Sequence, residues 1–261
     1  VIATVAYNLI ASILRALGDS KTPLYFLIIS SVLNVILDLV FIINFNMGVA
    51  GAAYATIISQ AVSAILCLIY TYKKFTILRL KREDFNVKKR YYHKHLKIGI
   101  PMALQFSITA IGIMTVQGAL NVFGSTIIAA YTAASKALQL VMQPAITFGV
   151  TMATYCGQNL GAKEYNRIKE GVKACTKISI ITSIIAGAVL IFLGKYFVMM
   201  FISNPDVEIL KYAQQVLDIS AIFFIPLGLI FIYRNALQGI GDSFVPMMAG
   251  AYELIARAIV A

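Results

Sequence analysis

Gly18-Asp19-Ser20-Lys21-Thr22-Pro23 returns 223 residues later as Gly241-Asp242-Ser243-Phe244-Val245-Pro246. The Gly, Asp, Ser and Pro hold the same slots in both. Each copy follows an apolar run, Leu9 to Leu17 or Leu227 to Ile240, and each opens another. The local chemistry is a helix-to-helix reversal. Glycine ends one helix at positive φ, Asp or Ser caps the next, and proline sits in its first turn, where a missing N–H costs nothing. One such turn is ordinary loop chemistry, but two between apolar helices mark an internal duplication.

Working outward, composition sets the class. Of 261 residues 60% are hydrophobic and 13% charged, with a mean hydropathy of +0.83. A soluble domain averages about 25% charged, so the expected fold is an all-α polytopic membrane protein. The net charge of +11 does not make a nucleic-acid face, because most Lys and Arg lie in short segments between apolar runs. Cys67, Cys156 and Cys175 sit in or beside those runs without metal-ligand spacing and read as packing residues. There is no starting Met and no signal peptide. Val1 and Ala261 both fall inside helical patterns, so an internal piece of a longer protein is expected.

A spanning helix needs about 20 mostly apolar residues. Segments 1–17, 23–45, 49–72, 98–123, 126–156, 166–202, 207–233 and 245–261 qualify in whole or part. Gly48-Val49-Ala50-Gly51-Ala52-Ala53 offers a small-residue face for close helix approach. Pro144 and Gly149 interrupt 126–156, the polar stretch Gly157 to Glu164 follows it, and Asn204-Pro205-Asp206 forms a turn. Residues 73–97 hold ten Lys/Arg and read as a basic cytoplasmic linker, with His93 and His95 solvated in it. The expected organisation is 1–72 as part of a first lobe, 73–97 as linker and 98–261 as a second lobe. Loops around 15–21, 73–97, 163–177 and 234 carry 18 of the 22 basic residues, which places that face in the cytoplasm. Both Gly-Asp-Ser-x-x-Pro turns then lie on one face, so the repeat is parallel.

Several motifs together resemble the MATE multidrug exporters. These are Asn8, Arg15 to Pro23, Asn34-Val35-Ile36-Leu37-Asp38, Met47 to Thr56 with Gln60, Gly99-Ile100-Pro101, Gly157-Gln158-Asn159-Leu160-Gly161-Ala162 and the second turn. The resemblance covers nearly the whole chain. It implies a two-lobed bundle of twelve helices around a central cavity, of which this chain holds about eight, from the end of the fourth into the eleventh. It also implies expulsion of substrate in exchange for Na⁺ or H⁺. A first-helix Asp to which the family assigns a cation role lies outside the chain. Some members carry a second-lobe cation site with acids in their seventh and tenth helices. Segment 98–123 has no acid, nor does Phe223 to Tyr233, so that site is expected to be absent.

Ionisable residues inside a bilayer are costly and mark pathways. Asp38 lies one turn from Asn34, so both share a face, which either lines the ion pathway or ties its helix to a neighbour. Lys136 either faces a cavity or snorkels outward. Asp218 reads as interfacial. Glu253 and Arg257 are spaced i,i+4 and can pair, as a gate or as a neutralised pair. Gln105, Thr109, Gln117 and Asn121 suit a cavity wall or interhelical hydrogen bonds equally well, and Gln60, which belongs to the motifs of the resemblance, is expected on the substrate or ion pathway. No nucleotide-binding loop of the Gly-x4-Gly-Lys type appears.

The expected function is secondary antiport of cationic or amphipathic small molecules against Na⁺ or H⁺, without covalent chemistry, cofactor or metal. The chain is expected to be a monomer in a bacterial inner membrane, with the bilayer as partner. A lipid-linked oligosaccharide flippase of the same superfamily and a non-transporting membrane scaffold are the alternatives.

Overall fold

The computed structural model describes residues 2–79, 81–202 and 206–260. The chain folds as two units, with the boundary between Val87 and Lys88.

The first unit holds α1 (Ile2–Ala16), α2 (Lys21–Leu39) and α3 (Gly48–Lys74). The turn between α1 and α2 has the geometry its sequence dictates. Gly18 sits at φ +89°, and the Asp19 N–H reaches back to the Leu14 carbonyl at 2.9 Å. Asp19 Oδ1 then accepts from the Thr22 N–H at 3.1 Å and caps α2. Pro23 is the third residue of α2 and is buried. The last turn of α2 widens into a π-helical segment, Val40–Asn44. Gly51 lies directly beneath that segment, since a Cβ there would stand 3.0 Å from Phe41 Cβ.

A stripe at four-residue spacing runs down α3: Gly51, Ala55, Ser59, Ser63, Cys67 and Thr71 are all buried. Small side chains at this spacing let α1 and α2 close on α3. Ser30 Oγ donates to the Ser59 carbonyl and Ser63 Oγ to the Phe26 carbonyl. Ile10, Leu14 and Cys67 form the apolar core, flanked by Tyr7, Phe26 and Phe75.

The second unit holds α4 (Lys89–Leu120), α5 (Ser125–Val141), α6 (Gln143–Gly161), α7 (Tyr165–Met199), α8 (Val207–Ile222), α9 (Phe224–Gly239) and α10 (Phe244–Val260). Its α9–α10 turn repeats the first. Gly241 is at φ +94°, the Asp242 N–H reaches the Leu237 carbonyl at 3.0 Å, and Asp242 Oδ1 accepts from the Phe244 and Val245 N–H groups. In both copies Asp, not Ser, supplies the capping oxygen.

Several expected boundaries differ. Helix α4 begins at Lys89, so 89–97 belongs to a helix; Lys and Arg are good helix formers and need no partner there. Segment 126–156 is two helices broken at Met142, with Pro144 in the first turn of α6. Gly149 is no break: a Cβ on it would meet Asn235 Nδ2 at 2.6 Å, so it is a contact point with α9. Most of the polar run from Gly157 belongs to α6. Segment 207–233 is likewise two helices, bent by 56° at Phe223. Pro226 has no N–H for the preceding turn, and α9 then continues to Gly239. Residues 204 and 205 of the expected Asn204-Pro205-Asp206 turn lie outside the described residues.

Four of the described helical spans are long and apolar enough to cross a membrane alone, and the α8–α9 pair is a fifth. Helix α6 packs along α9, α4 along α10, and α7 against α8 and α9. At Gly239 the backbones of α9 and α6 close up, and a Cβ there would fall 2.4 Å from the Ala153 carbonyl oxygen.

Candidate functional site

Asn34 and Asp38 lie one turn apart in the C-terminal half of α2, just before the π segment. Asn34 Nδ2 and Asp38 Oδ1 are buried, and neither has a hydrogen-bond partner among the described residues. A buried carboxylate oxygen without a donor costs about 1–3 kcal/mol or more, so native structures rarely hold one without a reason. Gln60 belongs elsewhere. It faces α1, where its Oε1 accepts a short hydrogen bond from Thr4, beside a cavity of about 580 Å³ lined by Ile2, Ala6 and Leu68.

In the second unit the expected residues separate. Gln117 and Asn121 line a cavity of about 440 Å³ with Tyr131 and Thr132 of α5. Thr109 turns its hydroxyl back on its own helix, to the Gln105 carbonyl at 3.0 Å. Lys136 Nζ stands 5.8 Å from the centre of the Phe201 ring, within the range of a cation–π contact. Asp218 Oδ1 accepts from Gln214 at 2.6 Å, and Gln214 also reaches the Leu190 carbonyl of α7.

Gln105 is different, being 1% exposed and meeting α9. Gln238 Nε2 donates to its Oε1 at 2.8 Å. With the amide turned over, its oxygen accepts instead from Nε and Nη1 of Arg234, each at 3.2 Å; amide orientation follows from the network around it. Glu253 and Arg257 of α10 pair as their spacing predicts. Glu253 Oε1 accepts from Arg257 Nη2 at 2.6 Å and Nε at 3.1 Å. Gly112 of α4 makes room, because a Cβ there would stand 2.9 Å from Arg257 Cδ. Arg234 and Glu253 line one cavity of about 320 Å³; Glu253 and Arg257 line another of about 530 Å³. A polar seam thus runs along α4, α9 and α10 through Gln105, Gln238, Arg234, Glu253 and Arg257.

The distribution of basic residues assigns Arg234 to a cytoplasmic loop. It is instead embedded in α9, more than a turn from the helix end at Gly239. The duplication carries the signal for this: Arg234 occupies the slot of Ala11, which is well inside α1.

Long, bent and broken apolar helices carrying half-buried charged side chains define a polytopic membrane bundle. A model of the MatE family matches residues 98–261, and one of the lipid II flippase MurJ matches residues 1–89. The chain belongs to the MatE family. It is 32% identical to the probable multidrug resistance protein YpnP of Bacillus subtilis (strain 168), over 90% of this chain and 52% of that protein. YoeA of the same organism, also a probable multidrug resistance protein, is 27% identical over 95% of this chain and 55% of its own length. A crystal structure of MATE in the straight conformation superposes with a TM-score of 0.87 at 20% identity, covering 96% of this chain and 56% of that one. The chain therefore spans about half the length of the relatives it matches.

Proposed function

We propose that the whole protein is a multidrug exporter of a bacterial inner membrane. It works as an antiporter, moving cationic or amphipathic small molecules outward against Na⁺ or H⁺. The names of YpnP and YoeA support the transport class. The observation that carries the coupling half is the Asn34–Asp38 pair, whose buried Nδ2 and Oδ1 have no partners among the described residues. An antiporter must hold an embedded carboxylate charged in one state and relieved in another. Asp38 is the only acid between Lys21 and Asn44, in the most apolar of the described spans.

Asp38→Asn keeps shape and removes the charge. In the full-length protein, efflux should fall about tenfold, the ~1.4 kcal/mol equivalent of one decade, at unchanged expression and with substrate binding retained. Full efflux with normal Na⁺ and pH dependence would remove Asp38 from the mechanism.

The match of residues 1–89 to the MurJ model favours a second reading, translocation of a lipid-linked sugar. Proteoliposomes separate the two. Drug antiport without movement of a lipid-linked oligosaccharide supports the exporter, and the reverse supports the flippase.

A further inference from the structure

Helix α4 is 32 residues long, about 48 Å at 1.5 Å per residue, whereas the hydrocarbon core of a bilayer is about 30 Å thick. The surplus falls at one end. Ile98 to Leu120 carry no charged residue and account for roughly 34 Å, so Lys89 to Lys97 start the helix outside the core. All of these first residues are exposed. They are also sorted by face. Lys89, Arg90, His93, Lys94 and Lys97 fall within an arc of about 140° at 3.6 residues per turn. Tyr91, Tyr92, His95 and Leu96 take the rest of the circumference, where the His95 ring bonds back to the Tyr91 carbonyl at 2.8 Å.

Lys89, Arg90, Lys94 and Lys97 thus put four cations on one face, and the chain offers them no counter-charge. No Asp or Glu occurs between Asp84 and Glu164. The ion pairs among the described residues are Lys74–Asp19 and Arg257–Glu253. The helix itself gains nothing from the arrangement. Cations near a helix start oppose its dipole, and Arg90 and Lys94, spaced i,i+4, repel each other. The face is therefore suited to an anionic partner outside the protein.

We propose that this face of α4 is a docking surface for the head groups of anionic phospholipids in the leaflet from which the helix emerges. Basic clusters directly beside a span attract acidic lipids. Counting along the helix from Ile98, Lys97 and Lys94 lie within the head-group layer, about 5–8 Å deep. Arg90 and Lys89 stand beyond it, within a Debye length of about 8 Å. The other side of the same turns favours a lipid surface over a soluble acidic partner. Tyr91, Tyr92 and Leu96 are exposed there, and tyrosine is a residue type that settles at head-group level. The inference concerns a lipid contact and stands apart from what the protein transports.

The test titrates the full-length protein, stripped of lipid in a neutral detergent, with phosphatidylglycerol or phosphatidylcholine and counts bound lipids by native mass spectrometry. The parent should hold phosphatidylglycerol about tenfold more tightly than the variant with Lys89→Gln, Arg90→Gln, Lys94→Gln and Lys97→Gln together. Phosphatidylcholine should bind both alike. Removing four charges also weakens the signal that orients the helix, so a second variant keeps the charges and moves them off the face: Arg90→Tyr with Tyr91→Arg, and Lys94→His with His95→Lys. It should lose most of the advantage, while Lys89→Arg, Lys94→Arg and Lys97→Arg together should keep it. Phosphatidylglycerol binding equal to the parent's in either the neutralised or the rearranged variant would overturn the proposal. Capture of a fluorescent polyglutamate or RNA by the parent that phosphatidylglycerol does not displace would overturn it in favour of a soluble acidic partner.

Discussion

Asp19 Oδ2 lies 3.1 Å from Lys74 Nζ, which fastens the α1–α2 turn to the far end of α3. Lys74 also hydrogen-bonds Tyr70, and Tyr70 donates to the same carboxylate at 3.3 Å. The basic run from Lys73 is therefore more than a solvated linker, since its second residue closes the first unit.

This arrangement sets a pH dependence. Partial burial pushes the Asp19 carboxyl upward, and that is the largest single influence. The Thr22 N–H, the Thr22 hydroxyl and Lys74 together outweigh it and hold the group down from 3.8 to about 2. A depressed folded-state pKa stabilises above the unfolded value and is lost as pH falls through the folded one. The melting temperature of the detergent-solubilised protein should be insensitive to this group between pH 7 and 5. Below about pH 4 it should fall by a few degrees, and Asp19→Asn should remove that part of the acid sensitivity. The effect is small because Lys74 is half exposed.

Gly239 and Gly99 should respond oppositely to alanine. A Cβ on Gly239 collides with the backbone of Ala153, whereas nothing lies within 4 Å of one on Gly99. Backbone cannot yield as a side chain can, so Gly239→Ala should cost about 1–3 kcal/mol or more. Thermal unfolding should show a loss of several degrees for Gly239→Ala and none for Gly99→Ala. Equal melting temperatures would mean that α6 and α9 do not meet there.

Gln105→Leu should destabilise by about 1–3 kcal/mol, because it removes the buried amide that accepts from Gln238 or, turned over, from Arg234. Gln105→Glu places an acceptor beside Arg234 and should keep or raise the melting temperature. A leucine variant as stable as the parent would show that the buried amide is dispensable.

Glu253→Gln and Arg257→Met should each lower expression more than the two combined, because a single change leaves a charge without its partner. Quantifying the folded fraction of all four variants closes the cycle. A double variant that expresses well but does not transport assigns the pair to gating. Additive losses would mean the pair is not coupled.

The parts legible in the sequence are those that one short segment decides by itself. Gly18 and Gly241 announce their turns because positive φ is cheap only for glycine, and Asp19 and Asp242 cap because their oxygens reach N–H groups two or three residues on. The i,i+4 spacing of Glu253 and Arg257 is a local fact in the same sense, as is the apolar length of α2. The breaks at Met142 and Phe223 are half legible: Pro144 and Pro226 are visible, but whether a helix kinks, ends or restarts depends on what its freed carbonyls meet.

The class, the repeated motif and both turns follow from composition and turn chemistry, which act within a few residues. Which polar residues share a site depends on how the helices pack. Packing separates Gln60, Gln117 and Lys136 from the seam, sends Thr109 back to its own backbone, and draws Gln105 to Arg234 and Gln238 across more than a hundred residues of chain. It also moves Arg234 from a loop into a helix. Helix faces meet according to which side chains are small enough for backbones to approach, as at Gly112, Gly149 and Gly239. That choice is made between helices, so no single segment contains it.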